Sequence, residues 1–420
     1  MDYTIYRMEY YNLHVIKTNK FKTISTKVIF KTELKKENMA IRNVLVNVLL
    51  DSSKKYKTRR ELEIKSEELY GVSLECSNIG SGKYGLTTFS EIFLNEKYTE
   101  KGLNKDSFNF LFDIILDPNV KDGLFNKDSF NVAKRIAKEE ILSEKDNPTR
   151  YANKRLLQIM NEDSPSAFPT KGELKDLRKI TNRKLYKYYL DLINNSIVDI
   201  VVIGDVDPSE IKEIFDNKMK YKKNKINSDS HYIIDKLLKN TPAYIKEKLP
   251  VNQSQLCMGF KFDDLSDFEL KYVLNVYSFI LGGSGDSKLF QNVREKNSLC
   301  YHISSSYAVL NGILKVGAGI DKKEADRVIE LVKEEIKNME KGDFSNDDLN
   351  KAKKIYISSC LEMLDSPNSI MNLYISKEYL NSDLIEDKIK KIEKVTIDDV
   401  KKLASKIHLD TIFLLEGDDK

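Results

Sequence analysis

The chain has 420 residues, 41% of them hydrophobic, with 69 Lys and Arg against 65 Asp and Glu, so it can bury two substantial cores and carries no single-signed surface. That balance lends nothing to a nucleic-acid role. No apolar run reaches the roughly 18 residues of a membrane span, and the N-terminus Met-Asp-Tyr-Thr-Ile-Tyr-Arg has no basic region followed by an apolar one, so a soluble, cytoplasmic protein is expected. Cys76, Cys257, Cys300 and Cys360 are scattered without a Cys-x-x-Cys, which argues against a disulfide framework and a structural zinc site.

In chain order, Asn12 to Lys17 and Lys22 to Leu34 alternate apolar and polar residues around Thr18-Asn19-Lys20 and predict a hairpin. Helices are predicted from Glu37 to Leu50, where Ile41, Val44, Leu45 and Val48 form a stripe, and from Thr58 to Leu69. Strands follow at Ser73 to Ser77 and Tyr84 to Leu94, then helices at Phe108 to Leu116 and Asp128 to Ser143, and a break at Asp146-Asn147-Pro148. Ile197 to Ile203 is an apolar run broken only by Asp199, as expected of a buried strand. Lys218 to Ser230 is rich in Lys, Asn and Ser, which predicts a linker, with a basic docking segment as the alternative.

Beyond the linker the chain repeats itself. Leu177-Arg178-Lys179-Ile180-Thr181 is echoed by Ile392-Glu393-Lys394-Val395-Thr396, Gly204-Asp205 by Gly417-Asp418, and Asp146-Asn147-Pro148 by Asp365-Ser366-Pro367, all at offsets of 213 to 219 positions. Ordered matches of this kind predict two copies of one unit of mixed helix and strand. The expected division is residues 1–216, a linker at 217–240, and residues 241–420.

In the second copy, Ser266 and Glu269 form a capping box that opens a helix, which Gly282-Gly283 ends. A second short helix from about Asp286 places Arg294 on its last turn, and a strand from Leu299 to Tyr307 places Tyr301 at its start, so the two side chains can converge. An Arg that complements a helix dipole and a Tyr in a strand are also ordinary structural choices. A phosphate loop is a weak alternative, because the Gly-Lys-Ser/Thr ending is absent.

The run Leu-Gly-Gly-Ser-Gly-Asp-Ser-Lys-Leu-Phe-Gln-Asn-Val-Arg-Glu-Lys-Asn-Ser-Leu-Cys-Tyr, residues 281 to 301, resembles the signature of the insulinase/pitrilysin family of zinc metallopeptidases, in its bacterial processing-peptidase-like branch. The resemblance covers almost the whole chain. It implies an α+β fold of two homologous domains, each a mainly antiparallel sheet packed by helices, forming half of a peptidase clamshell. It implies that Arg294 and Tyr301 hold substrate and stabilise the transition state, with Gly282 and Gly283 in the substrate-binding run.

The family's first half carries His-x-x-Glu-His, and the matching positions here are Asn43, Val46 and Asn47. Asn amides are poor zinc ligands and Val cannot act as a base. Glu140 matches the third ligand, and alone it holds no catalytic zinc; a solvated or salt-bridged glutamate is the plainer reading. His14, His231, His302 and His408 form no i, i+4 pair, although Cys300 and His302 leave room for a two-ligand site or a Cys-His nucleophile. Other branches of the family split their site between unlike chains. By that resemblance this chain binds no cofactor itself and supplies Arg294 and Tyr301 to a paralogous, zinc-motif-bearing partner acting on a peptide. Its alternatives are a peptide-binding scaffold, a homodimer, and a self-contained peptidase with another metal arrangement.

Overall fold

The computed structural model describes residues 1–216, 218, 230–234 and 238–418. It resolves into two compact units. The first contains strands β1 (Asp2–Arg7), β2 (Asn12–Lys17) and β3 (Thr23–Glu33), helices α1 (Met39–Leu49) and α2 (Arg59–Glu68), and strands β4 (Ser73–Ser81) and β5 (Tyr84–Leu94). It continues with α3 (Leu103–Ile115), a two-stranded ribbon of β6 (Val120–Lys121) and β7 (Leu124–Phe125), and α4 (Lys127–Leu142). Next in the chain is α5 (Pro148–Met160), which belongs to the second unit, and then α6 (Leu174–Arg178), α7 (Asn182–Asn195), β8 (Ile197–Gly204) and α8 (Pro208–Asp216) complete the first.

The first sheet runs β1-β2-β8-β3-β5-β4, antiparallel except for β2 beside β8. The predicted hairpin is therefore corrected: both strands exist, but β8 lies between them. Val198 to Ile203, apolar but for Asp199, is buried throughout and takes the central position that buries most apolar area, with the Asp199 carboxylate hydrogen-bonded to Asn12 and His14. The helix-facing core packs Leu13, Val15, Val28, Phe30 and Phe89 against Val44 and Leu45 of α1 and Phe108 and Leu111 of α3.

The second unit holds β9 (Ala243–Lys248), β10 (Ser254–Phe262), α9 (Leu274–Gly282), β11 (Cys300–Ala308), β12 (Ile313–Ile320), α10 (Ala325–Lys341), α11 (Asn346–Glu362), the last residues of α12 (Pro367–Leu380), and then α13 (Ile385–Glu393), α14 (Ile397–Ala404) and β13 (Ile407–Glu416). Its sheet order, β11-β12-β10-β13-β9, with only β13 and β9 parallel, repeats β4-β5-β3-β8-β2 of the first. The sequence repeat is thus a repeat of topology, and the fold is α+β with two homologous, largely antiparallel sheets.

Membership of the units differs from a cut at the linker, most of which (217–240) lies outside the described residues. Each unit takes a segment from the other half of the chain. Residues Glu144–Phe168 belong to the second unit and Ser366–Ile375 to the first. Helix α5 lays Ala152, Leu156 and Met160 on Cys257, Phe413 and Leu415. In the first unit, Asn372 accepts a 2.5 Å hydrogen bond from the buried Lys27 ammonium, and Tyr374 stacks on Tyr3 at 4.3 Å. Both exchanged helices begin at a proline, Pro148 and its repeat counterpart Pro367, where Pro is tolerated because the first helical N–H has no partner.

Glu91 on β5 is fully buried, opposite Thr26 of β3 and Leu74 of β4. Neither carboxylate oxygen has a hydrogen-bond partner among the described residues, and burial raises its pKa well above the ordinary 4.5. The folded chain therefore keeps a proton that the unfolded chain releases, so this group's contribution to stability is complete below the unfolded value. It falls by about 1.4 kcal/mol per pH unit as pH rises from there toward the folded value. Glu91→Gln should remove that slope and raise the urea midpoint at pH 8; identical pH profiles in the two proteins would contradict the assignment.

Candidate functional site

Two places in the chain correspond to the sequence-derived candidates, one in each unit. In the first, Asn43, Val46 and Asn47 lie on α1, one turn separating the two amides. Asn43 donates from Nδ2 to Glu140 Oε2 at 2.8 Å, so the structure does bring the first motif position and the α4 carboxylate together. The other oxygen of Glu140 accepts from the Lys171 ammonium at 2.7 Å. Asn47 turns back to donate to the Asn43 carbonyl at 3.0 Å.

Lys171 is placed by its neighbour. Gly172 has φ +82°, and a Cβ there would lie 2.4 Å from the Ala40 nitrogen, so only glycine lets this loop lie against the first turn of α1. The donor set is thus two amides and one carboxylate already paired to an ammonium. It does not fit zinc, which needs imidazole or anionic ligands free to coordinate. Among the described residues no three His, Cys, Asp or Glu side chains are grouped to hold a metal.

In the second unit, the capping box is present: Ser266 N–H donates to Glu269 Oε2 at 2.8 Å and Glu269 N–H to Ser266 Oγ at 3.2 Å. The helix begins with a π-helical stretch, Glu269–Val273, and continues as α9. A second π-helical stretch, Phe290–Glu295, carries Arg294, and its core side is anchored by fully buried Leu289 and Val293. Ser298, left-handed at φ 53°, turns the chain into β11, with its N–H on the Arg294 carbonyl at 2.9 Å and the Leu299 N–H on the Val293 carbonyl at 3.2 Å.

β11 is an edge strand, and its register with β12 slips between Cys300 and His302, which leaves Tyr301 as the extra, bulged residue. Bulges re-aim side chains. Tyr301 is 77% exposed, the most exposed of the large hydrophobic side chains described. The Arg294 guanidinium, 42% exposed, sits 4.6 Å over the Phe290 ring and 3.7 Å from Glu295. Both side chains present donors to solvent.

Gly282 has a packing role. Gly282 is buried against β11, and a Cβ there would lie 2.6 Å from the Ser305 nitrogen and 3.1 Å from Leu289 Cδ1. Gly283 is exposed at the helix end. Gly282→Ala should therefore push α9 off β11 and cost about 3 kcal/mol, read as a lower urea midpoint. An unchanged midpoint would refute the close packing.

Burial raises the Cys300 thiol to about 11 although Arg294 opposes the shift, so at neutral pH it is a thiol and no primed nucleophile. Sequence reasoning missed Lys171 and the pair Asn292 and Glu335, joined by a 2.6 Å hydrogen bond from the Asn292 amide. Each is a contact between positions more than 30 apart, and the residues next to them carry no signal of it.

A repeated α+β unit, a non-coordinating contact at the metal-motif positions of the first copy and an exposed Arg/Tyr turn in the second fit a metallopeptidase homologue in which no group of metal-holding side chains is found among the described residues. Residues 179–356 match the family model described as the peptidase M16 inactive domain. Over 409 residues the chain is 30% identical to the probable inactive metalloprotease YmfF of Bacillus subtilis, spanning 96% of this chain and 95% of that one. It is 24% identical over 388 residues to the uncharacterized zinc protease YmxG of the same organism, spanning 88% and 91%. A conserved protein from Enterococcus faecalis has a similar crystal structure, with TM-score 0.91, 27% identity and both chains fully covered. A peptidase M16 inactive domain from Pseudomonas fluorescens shares the fold at TM-score 0.80 and 17% identity, over 100% of this chain and 99% of that one. The chain belongs to the peptidase M16 family. No helix among the described residues is long and apolar enough to cross a membrane.

Proposed function

We propose that this chain is the Arg/Tyr subunit of a two-chain zinc peptidase, the metal being held by a paralogous partner that carries His-x-x-Glu-His. The supporting observation is the contrast between the two places just described. At the motif positions Glu140 is occupied by the Asn43 amide and the Lys171 ammonium, whereas Arg294 and Tyr301 are exposed on a bulged edge strand and its preceding turn. A guanidinium and a phenol with free donors suit a peptide carbonyl whose oxygen gains negative charge. In this reading the substrate is a peptide, the pair orients it and stabilises that charge, and bond cleavage depends on the partner.

The test is co-purification with a zinc-motif paralogue, followed by peptide-cleavage assays of this chain, the paralogue and their mixture. Cleavage only in the mixture is expected; equal cleavage by the paralogue alone would refute the proposal. A non-catalytic peptide-binding or scaffold subunit is the second reading, favoured by the inactive designation of YmfF. It predicts a mixture that binds peptides and cleaves none. Light scattering of the chain alone separates a homodimer from either.

A further inference from the structure

A polar side chain ties the turn that carries Arg294 to α10. Asn292 donates from Nδ2 to Glu335 Oε1 on α10 at 2.6 Å. Its own carbonyl accepts from the Asn297 amide at 2.6 Å, and its Oδ1 accepts from the Lys296 ammonium at 2.8 Å. One asparagine thus joins the body of the π-helical stretch, the residues that follow it and a helix from elsewhere in the fold. Next to it, Leu289 and Val293 provide apolar anchoring, which resists lifting of the turn but fixes no rotation.

Glu335 is 4% exposed, and its Oε2 is buried without a well-formed hydrogen bond among the described residues. Burial holds its pKa above the usual carboxylate range. The Asn292 hydrogen bond, the Lys288 ammonium and the Asn338 amide oppose that shift, and Glu334 adds to it. A glutamate on an amphipathic helix is ordinarily solvated, and burying one without full pairing is costly. α10 has exposed positions for a carboxylate on the same turns, including Glu334 and Glu340. The carboxylate at 335 is instead buried and spent on the Asn292 amide.

We propose that Glu335 is a positioning residue for the Arg294 turn, acting through Asn292 to set the direction in which the guanidinium is presented; this rests on the Arg/Tyr reading of the site. A π-helical stretch is a local excess of chain within a helix and is found often at functional sites. It has more than one way to relax, and a directional hydrogen bond to a rigid neighbouring helix selects one of them. Glutamine keeps an acceptor oxygen in the same place, whereas alanine leaves the Asn292 amide without its partner.

The experiment uses the full chain with four substitutions: Glu335→Ala, Glu335→Gln, Asn292→Ala and, as a control on the exposed face of α10, Glu334→Gln. Hydrogen exchange is read over residues 288–299 and, separately, over α10. Glu335→Ala and Asn292→Ala should speed exchange of 288–299 by about tenfold and leave α10 unchanged. Glu335→Gln should restore the wild-type rate, and the Glu334 control should match wild type. In the mixture with the zinc-motif paralogue, the alanine variants should lower kcat about tenfold or more with little change in KM, with rescue by glutamine. Unchanged exchange of 288–299 in both alanine variants, or equal acceleration of α10, would overturn the proposal. Local exchange that responds as described in a mixture that never cleaves peptide would leave the positioning role standing and refute the peptidase reading.

Discussion

Replacing Asn43 by His, Val46 by Glu and Asn47 by His, together with Lys171→Ala, is expected to yield a chain that retains about one zinc ion after dialysis against metal-free buffer. Positions 43 and 47 are one turn apart on α1 and face the same way, so two imidazoles there can share one ion. The third ligand is already within reach, because the Asn43 amide touches Glu140 at 2.8 Å. The lysine must go as well, since its ammonium holds the other carboxylate oxygen at 2.7 Å and its positive charge repels a cation. The three substitutions with Lys171 retained should bind more weakly. Elemental analysis of the dialysed proteins checks both. A quadruple variant that folds, by circular dichroism, and holds no zinc would show that these positions are not the degenerate motif.

If the proposed two-chain enzyme assembles, Arg294→Ala and Tyr301→Phe should each lower its kcat by about 10²- to 10³-fold, the cost of losing one hydrogen-bond donor to a developing oxyanion. Assembly should survive, because both side chains are exposed and neither anchors the fold. Arg294→Lys should not rescue fully, since an ammonium lacks the planar fork of a guanidinium and would rest differently on Phe290. Steady-state rates with size-exclusion profiles of the mixtures make the comparison. Variants that cleave at the wild-type rate would remove the pair from the chemistry.

What could be read from the residues was what local chemistry dictates. The capping box at Ser266 and Glu269, the glycine stop at Gly282 and the strand beginning at Cys300 were each specified within a few positions. The placement of Asn43, Val46 and Asn47 on one helix was equally plain, because spacing on one helix is a local property. Strand pairing was not. β2 and β3 carry the alternation of strands, but nothing in either says that β8, nearly 200 residues on, will come between them. Periodicity reports which face a strand buries and is silent about its neighbour.

The same limit hid Lys171 and Glu335, whose roles come from partners on other elements, Glu140 and Asn292. It also left Asp146-Asn147-Pro148 as a break and nothing more. Asn147 caps α5, accepting from the Arg150 N–H, so the Asn-Pro pair starts a helix as well as interrupting a pattern. The bulge at Tyr301 had no signature at all, since a slipped register appears only once two strands are paired.

The exchanged segments make each half of the chain a creditor of the other. Were the gene cut between codons 216 and 241, the first product would carry α5 with its apolar face bare and lack Ser366–Ile375, and the second would show the mirror-image defect. The two repeated units can therefore not be parted by simple fission: what one half of the chain lacks, only the other half carries.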